Sequence, residues 1–209
     1  MTVTEIETPR GPGRVHLHEA QDQHGALLLG HGAGGGVEAP DLVAARAAAI
    51  SARFTVALVE QPYRVAGRRS PPPAAHLEAA WIAIVEHLRE GPLTGLPLVV
   101  GGRSLGGRVA CRTVEATGAV AVLCLAFPLE PPPRAGKPPQ SRLAELDAVT
   151  VPALVVQGER DRFGIPPSSP SREVAIVAGD HGLKADPEAV TAAIRTWLET
   201  VVAPLATTS

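Results

Sequence analysis

The chain contains a serine in a setting that suits a nucleophile. Residues 102–106 form the pattern G-x-S-x-G around Ser104, between the apolar run 98–100 and a segment of helical periodicity. A serine on such a strand-to-helix turn needs small neighbours, which the glycines supply. A competing interpretation is a glycine-rich loop that binds an anion at a helix N-terminus. Because the stretch lacks G-x-G-x-x-G and a Walker lysine, it favours the nucleophile.

A serine hydroxyl is a weak nucleophile at neutral pH and needs a general base that is itself oriented by an acid. Behind a G-x-S-x-G turn the chain order is serine, acid, histidine. Of seven histidines only His181 follows Ser104, in a loop between the last predicted strand and the last predicted helix. We therefore predict His181 as the base, against the alternative of a solvated loop histidine.

Asp161 is the predicted orienting acid, because it closes a G-x-x-D turn directly after the apolar run 153–157. Three other carboxylates compete for this role. Glu159 has the setting of an exposed turn residue that pairs with Arg160. Asp180 adjoins the base in sequence, and neighbours in an extended loop usually point apart. Glu130 follows the preceding strand and would require an alternative placement of the acid.

Acyl-transfer chemistry also needs donors aimed at the developing oxyanion. One predicted donor is the backbone N–H of Leu105, directly after the nucleophile. The second is expected from the glycine-rich loop at residues 31–36, through the N–H of Ala33 or Gly34. His31 precedes this loop, and we expect it to brace the loop rather than act as the base.

The surrounding sequence alternates short apolar runs with alanine-rich helical segments. The predicted strands are 15–19, 26–29, 54–59, 98–100, 119–125, 153–156 and 173–177, and the predicted helices are 40–52, 74–89, 105–117, 141–147 and 187–202. Mostly unbroken apolar runs are typical of parallel strands covered on both faces, whereas the alternating run 15–19 suits an edge strand. The pattern predicts one α/β domain with a doubly wound, mostly parallel sheet, and flexible ends at 1–9 and 203–209.

Composition excludes several classes of function. The 209 residues carry a formal net charge of -2, which gives no electrostatic case for nucleic acid or an anionic membrane. Glu5 and Glu7 near the start and the lack of a long apolar run lead us to expect neither a signal peptide nor a transmembrane helix. Two cysteines in apolar segments, Cys111 and Cys124, are expected to be buried and reduced, so we expect a soluble cytoplasmic protein. The arginine, alanine and proline bias is typical of a GC-rich bacterial genome.

No cofactor is predicted. His16 and His18 would share one face of a strand, as two metal ligands do, but no third ligand is suggested nearby, so we predict no metal site.

Five segments together resemble the small α/β-hydrolase family that includes testis-expressed protein 30 and its bacterial relatives: HGAGGG, GGRSLGGRVA, LAFPLEPPPRAGKP, VVQGERDRFG and GDHGLK. The resemblance covers about residues 25–200. It implies the α/β-hydrolase fold with Ser104, Asp161 and His181 as the catalytic triad, and it implies no substrate. The chain departs from the family in its proline-rich segment, where Phe127 and Glu130 replace a tyrosine and a histidine.

The predicted function is a serine hydrolase acting on ester, thioester or related acyl bonds of a small molecule. The alternative is a catalytically idle protein of this fold that serves as a binding or scaffold protein. The loop at 128–140 is too short for a sizeable cap domain, so we expect an open site. The candidates for substrate contact are Gly34, Arg103 and Phe127. Arginines near the site could favour an anionic substrate, although solvated arginines are the preferred interpretation.

Overall fold

One mostly parallel sheet of eight strands carries the fold in the computed structural model, which describes residues 1–132 and 140–202. The strands are β1 (Thr2–Ile6), β2 (Gly13–His18), β3 (Gly25–Gly30), β4 (Phe54–Glu60), β5 (Leu98–Arg103), β6 (Ala121–Leu125), β7 (Ala153–Gly158) and β8 (Arg172–Val177). Their order across the sheet is β1-β2-β4-β3-β5-β6-β7-β8. Only the pairings β1–β2 and β2–β4 are antiparallel within this sheet.

Helices cover both faces of the sheet. They are α1 (Pro40–Ser51), α2 (Pro62–Val65), α3 (Ala74–Glu90), α4 (Leu105–Thr117), α5 (Leu143–Asp147) and α6 (Pro187–Val202). One core cluster joins the sheet to α3, α4 and α5, and a second joins its other face to α1 and α6. The predicted doubly wound α/β architecture is therefore confirmed.

The inner strands form where the sequence has unbroken apolar runs, because helices cover both of their sides. In β3, Leu28 belongs to the first core cluster, and Leu27 and Leu29 belong to the second. All three are fully buried, because both faces of the strand are covered. The start of α6 likewise follows from its sequence. Pro187 is its first residue, and the carboxylate of Asp186 accepts a hydrogen bond of 2.9 Å from the N–H of Ala189.

Two expectations at the start of the chain are wrong. Residues 2–6 do not form part of a flexible end but strand β1, in which Thr, Val and Ile favour extended backbone and Ile6 is buried. The predicted edge strand, found as β2, consequently lies inside the sheet, between β1 and β4. The predicted flexible end 203–209 and most of the proline-rich loop, residues 133–139, lie outside the described residues.

The loops that matter for chemistry share one edge of the sheet. Strands β3 to β8 run parallel, so the segments that follow β3, β4, β5, β7 and β8 meet at their carboxyl ends. These segments contain His31, Tyr63, Ser104, Asp161 and His181. Within the described ranges, no helix is long and apolar enough to cross a membrane.

Candidate active site

Ser104 occupies a strained turn between β5 and α4. Its backbone has φ 50° and ψ -105°, a conformation that residues with a side chain rarely adopt and that costs on the order of 1–3 kcal/mol. The surrounding structure holds this conformation, because the N–H of Ser104 donates to the carbonyl of Leu125 at the end of β6, at 2.8 Å. The turn leaves the serine side chain partly exposed at the carboxyl edge of the sheet.

The two glycines of the G-x-S-x-G pattern are required by the backbone of Gly30 at the end of β3. A Cβ atom at Gly102 or at Gly106 would overlap the carbonyl oxygen of Gly30. Backbone atoms cannot move aside as the end of a long side chain can. The pattern therefore reflects close approach of β3 to the turn on both sides of Ser104.

We expect Gly106→Ala to destabilise the protein by about 1–3 kcal/mol or more, because the added methyl group must displace β3 or α4. Chemical denaturation of the variant measures this loss. Gly35→Ala is the matched control, since a Cβ there meets no atom within 4 Å; its free energy of unfolding should stay within about 0.5 kcal/mol of the wild type. Equal stability of the two variants would contradict the packing argument.

Ser104, His181 and Asp161 form one hydrogen-bonded chain. Nε2 of His181 lies 3.1 Å from Oγ of Ser104, and Nδ1 lies 2.8 Å from Oδ2 of Asp161. An ionised carboxylate only accepts, so Nδ1–H donates to Asp161 and Nε2 is left to accept the hydroxyl proton of Ser104. The histidine side chain is 20% exposed, whereas the carboxylate of Asp161 is fully buried. This arrangement can transfer a proton from the serine to the imidazole.

The buried carboxylate of Asp161 is fixed by donors besides His181. Its Oδ1 accepts from the N–H of Phe163 at 2.9 Å, and its Oδ2 accepts from Nε2 of Gln157 at 2.8 Å. Gln157 is itself fully buried and exchanges two hydrogen bonds with the backbone of Phe127. The ring of Phe163 packs at 4.5 Å from the imidazole of His181. The carboxylate of Asp161 and the imidazole of His181 are thus each held in one orientation.

The competing carboxylates lie elsewhere. Glu159 is exposed and pairs with Arg160, Asp180 accepts from the N–H of Gly182, and Glu130 is exposed at the start of the proline-rich loop. Among the described residues, Asp161 is the only carboxylate hydrogen-bonded to His181.

The loop after β3 is braced by His31 and Tyr63. The N–H of Gln61 donates to Nε2 of His31 at 3.1 Å, so Nδ1 carries the proton and donates to the carbonyl of Gly32 at 2.8 Å. Burial lowers the pKa of His31, which favours this neutral form. The hydroxyl of Tyr63 donates to the carbonyl of Ala33 at 2.8 Å. The expected bracing role of His31 is consistent with these contacts.

The guanidinium of Arg103 contacts several parts of the site. Its Nε lies 2.9 Å from Oδ2 of Asp41, a fully buried carboxylate in the first turn of α1. Its Nη2 donates to the carbonyl of His181 at 3.2 Å, and a Cβ at Gly32 would lie 2.7 Å from its Nη1. Burial raises the pKa of Asp41, and the charge of Arg103 opposes that rise. The guanidinium therefore spans the turn of Ser104, the loop of His181, the loop after β3 and α1.

The three candidates for substrate contact differ in what they can reach. Gly34 lies exposed in the loop after β3. The guanidinium of Arg103 is engaged by protein groups, as described above. Phe127 was expected to contact substrate, but its side chain is fully buried in the core cluster that joins the sheet to α3, α4 and α5. That expectation is wrong.

His16 of β2 pairs with a carboxylate on the neighbouring strand β4. His16 lies 2.7 Å from a carboxylate oxygen of Glu60, and that carboxylate also pairs with Arg14 at 3.6 Å. In the part of the chain that the structure describes, no group of three or more His, Cys, Asp or Glu side chains could hold a metal ion. Cys111 and Cys124 are free and buried, as expected, with their sulfurs 3.5 Å apart.

Three residues around the site were not predicted from the sequence: Gln157, Asp41 and Tyr63. Gln157 had a visible signal, since it is a polar residue that ends an apolar strand just before the G-x-x-D turn. Asp41 follows a proline at the start of a helix, where acidic residues are common for reasons unrelated to a site. Nothing in the sequence around Tyr63 connects it to Ala33.

Comparison with known proteins extends these observations. A family model described as an alpha/beta hydrolase domain matches residues 23–198. A search of curated protein sequences finds no match.

Solved structures of similar architecture cover nearly the whole chain. Est1E from Butyrivibrio proteoclasticus superposes with a TM-score of 0.78 at 14% identity, over 97% of this chain and 100% of its own. XC6422 from Xanthomonas campestris, described as an a/b serine hydrolase without lid, gives 0.70 at 15% identity, over 98% and 94%. Dienelactone hydrolase from Anabaena variabilis gives 0.71 at 16% identity, over 95% and 94%. At these identities the likeness concerns the fold.

Proposed function

The chain belongs to the α/β-hydrolase family, and we propose that it is a serine hydrolase acting on ester, thioester or related acyl bonds of small molecules. The observation that carries this proposal is the continuous hydrogen-bonded chain from Oγ of Ser104 through His181 to the buried carboxylate of Asp161. A protein that only binds a partner has no physical need for a serine in a strained turn against an oriented imidazole.

The proposed reaction has two halves. Oγ of Ser104 attacks the acyl carbonyl carbon while Nε2 of His181 takes the hydroxyl proton. The tetrahedral intermediate collapses to an acyl-enzyme, and the imidazolium returns its proton to the leaving alcohol or thiol. Water then attacks the acyl-enzyme with His181 again as base, which releases the acid and restores the serine hydroxyl.

Asp161 stabilises the imidazolium without taking its proton. Its carboxylate is withdrawn from water and accepts from Gln157 and Phe163, so it remains aimed at Nδ1 of His181. In our proposal Arg103 acts through others as a positioning residue, because its contacts join the loop of His181 to the turn of Ser104.

The oxyanion would be stabilised by the backbone N–H of Leu105 and by that of Ala33, with Gly34 as an alternative donor. Leu105 is the first residue of α4, and the first N–H groups of a helix have no acceptor within it. The hydrogen bond from Tyr63 to the carbonyl of Ala33 supports this role by fixing the orientation of the loop.

We also propose a closer relationship to the branch that includes testis-expressed protein 30, on the joint occurrence of its five sequence segments. The two free, buried cysteines and the composition support a bacterial enzyme of the cytoplasm. The short segment between β6 and α5 supports an open site without a cap domain.

The proposal is tested by mixing the protein with excess p-nitrophenyl acetate and following p-nitrophenol in the first turnover. We expect a burst of about one equivalent followed by a slower steady rate, because acylation by an activated ester outruns hydrolysis of the acyl-enzyme. A folded protein that releases p-nitrophenol no faster than a solution of imidazole would instead support the alternative, an idle binding or scaffold protein.

A further inference from the structure

A cavity of about 120 Å³ is lined in part by two arginine side chains. Arg10, Arg68 and His76 contribute to its wall, and the remaining lining includes Tyr63 and Leu77 but no carboxylate. This volume is well above the roughly 10–15 Å³ that one water molecule needs. The cavity therefore has room for a carboxylate or a phosphate group.

Three separate elements bring these side chains to the carboxyl edge of the sheet. Arg10 lies between β1 and β2, whose turn adjoins the end of β4, since Arg14 pairs in register with Glu60. Arg68 follows α2, and His76 lies in the first turn of α3. Only β3 separates β4 from β5. At a strand spacing of about 4.8 Å, the end of β4 lies on the order of 10 Å from the end of β5, where Ser104 is found, and the cavity residues Gln61 and Pro62 directly follow β4.

Within the described part of the chain, the two arginines of this cavity have no carboxylate partner. Over residues 1–132 and 140–202, the side chains of Arg10, Arg68 and His76 make no ion pair or hydrogen bond. Other arginines along the chain do have carboxylate partners, among them Arg14, Arg103, Arg108 and Arg172. Arg10 and Arg68 are exposed side chains that line one concave space, and two guanidinium groups without a carboxylate partner favour an anion there.

We propose that this cavity binds an anionic group, carboxylate or phosphate, carried by the acyl substrate. The assignment rests on the hydrolase function proposed above and specifies its substrate class. The acyl carbonyl would lie at Ser104 and the anionic group on the order of 10 Å away across β3, with the guanidinium groups as forked donors.

The wall between cavity and site supports this assignment. Tyr63 lines the cavity, and its hydroxyl donates to the carbonyl of Ala33 in the loop after β3. Its side chain also packs on His31, at 5.7 Å between ring centroids. A substrate that reaches from Ser104 to Arg68 would thus pass over residues already fixed in position.

The experiment uses mono-p-nitrophenyl esters of dicarboxylic acids of increasing chain length. At each length, the ester with a free carboxylate is compared with the same ester in which that carboxylate is methylated and therefore neutral. We expect wild type to prefer the anionic member at one chain length. Arg10→Gln combined with Arg68→Gln should lower kcat/KM for that member about tenfold and leave the neutral member unchanged. Arg195→Gln, an exposed arginine of α6 on another surface, is the matched control and should change neither.

A second experiment tests whether the cavity binds a free anion, and it does not depend on turnover. Inorganic phosphate is titrated into Ser104→Ala protein and into the same protein carrying both arginine substitutions. Binding that is lost with the arginines supports an anion site, even if no ester is hydrolysed and the hydrolase proposal fails.

Phosphate binding without any preference between the esters would overturn the substrate assignment in favour of a free anion as ligand. Absence of both phosphate binding and ester preference would overturn the site itself.

Discussion

Replacing His181 by alanine is expected to lower the turnover of p-nitrophenyl acetate by about 10⁴- to 10⁶-fold, the loss seen when one member of such a triad is removed. Without Nε2, which lies 3.1 Å from Oγ, nothing described near Ser104 can accept the hydroxyl proton. The loss should fall on kcat, because the imidazole acts on the reacting atoms rather than on the binding of the ester.

Steady-state kinetics of the purified variant measure this loss, and circular dichroism verifies that the fold is retained. His87→Ala is the matched control, since His87 is exposed near the end of α3, which leads to the amino end of β5, whereas Ser104 follows its carboxyl end. It should have wild-type activity. If His181→Ala kept a tenth of the wild-type rate, another group would have to be the base.

Ser104→Ala is expected to abolish the burst and to lower kcat by about 10⁶-fold. A residual rate of about 10³–10⁴ over that in water is expected from the oxyanion donors and substrate binding alone. Alanine has a Cβ atom as serine does, so the backbone strain of the turn should be similar in the variant. The free energy of unfolding should therefore be nearly unchanged.

The matched control for this substitution is Ser169→Ala, at an exposed position in the loop before β8. It should leave both the burst and the steady rate at wild-type values. A burst of full amplitude in Ser104→Ala would mean that a different side chain is acylated.

The positions of Ser104, Asp161 and His181 were predictable because each follows an apolar strand and their order along the chain is constrained. Parallel strands bring such ends to one edge, so sequence order was enough to bring them together. The bounds of α4 and α6 were also predicted to the residue, since glycine, proline and an N-cap aspartate mark their ends.

Contacts between distant segments were not predictable in this way. The pair of Asp41 and Arg103 joins the start of α1 to the end of β5, and its burial depends on how α1 packs on the sheet. Phe127 has the sequence position of a site residue, yet its ring is fully buried in the core and its backbone is hydrogen-bonded to the amide of Gln157. Such outcomes depend on tertiary packing, which composition and periodicity do not encode.

The central claim is that Ser104 is an activated nucleophile, and covalent labelling with a fluorophosphonate tests it most directly. The probe reacts with a serine whose hydroxyl is deprotonated on attack. We expect the intact mass of the wild-type protein to increase by one adduct, peptide mapping to assign that adduct to Ser104, and Ser104→Ala to remain unlabelled. A folded wild-type protein that takes up no probe, or takes it up at another residue, would contradict the account.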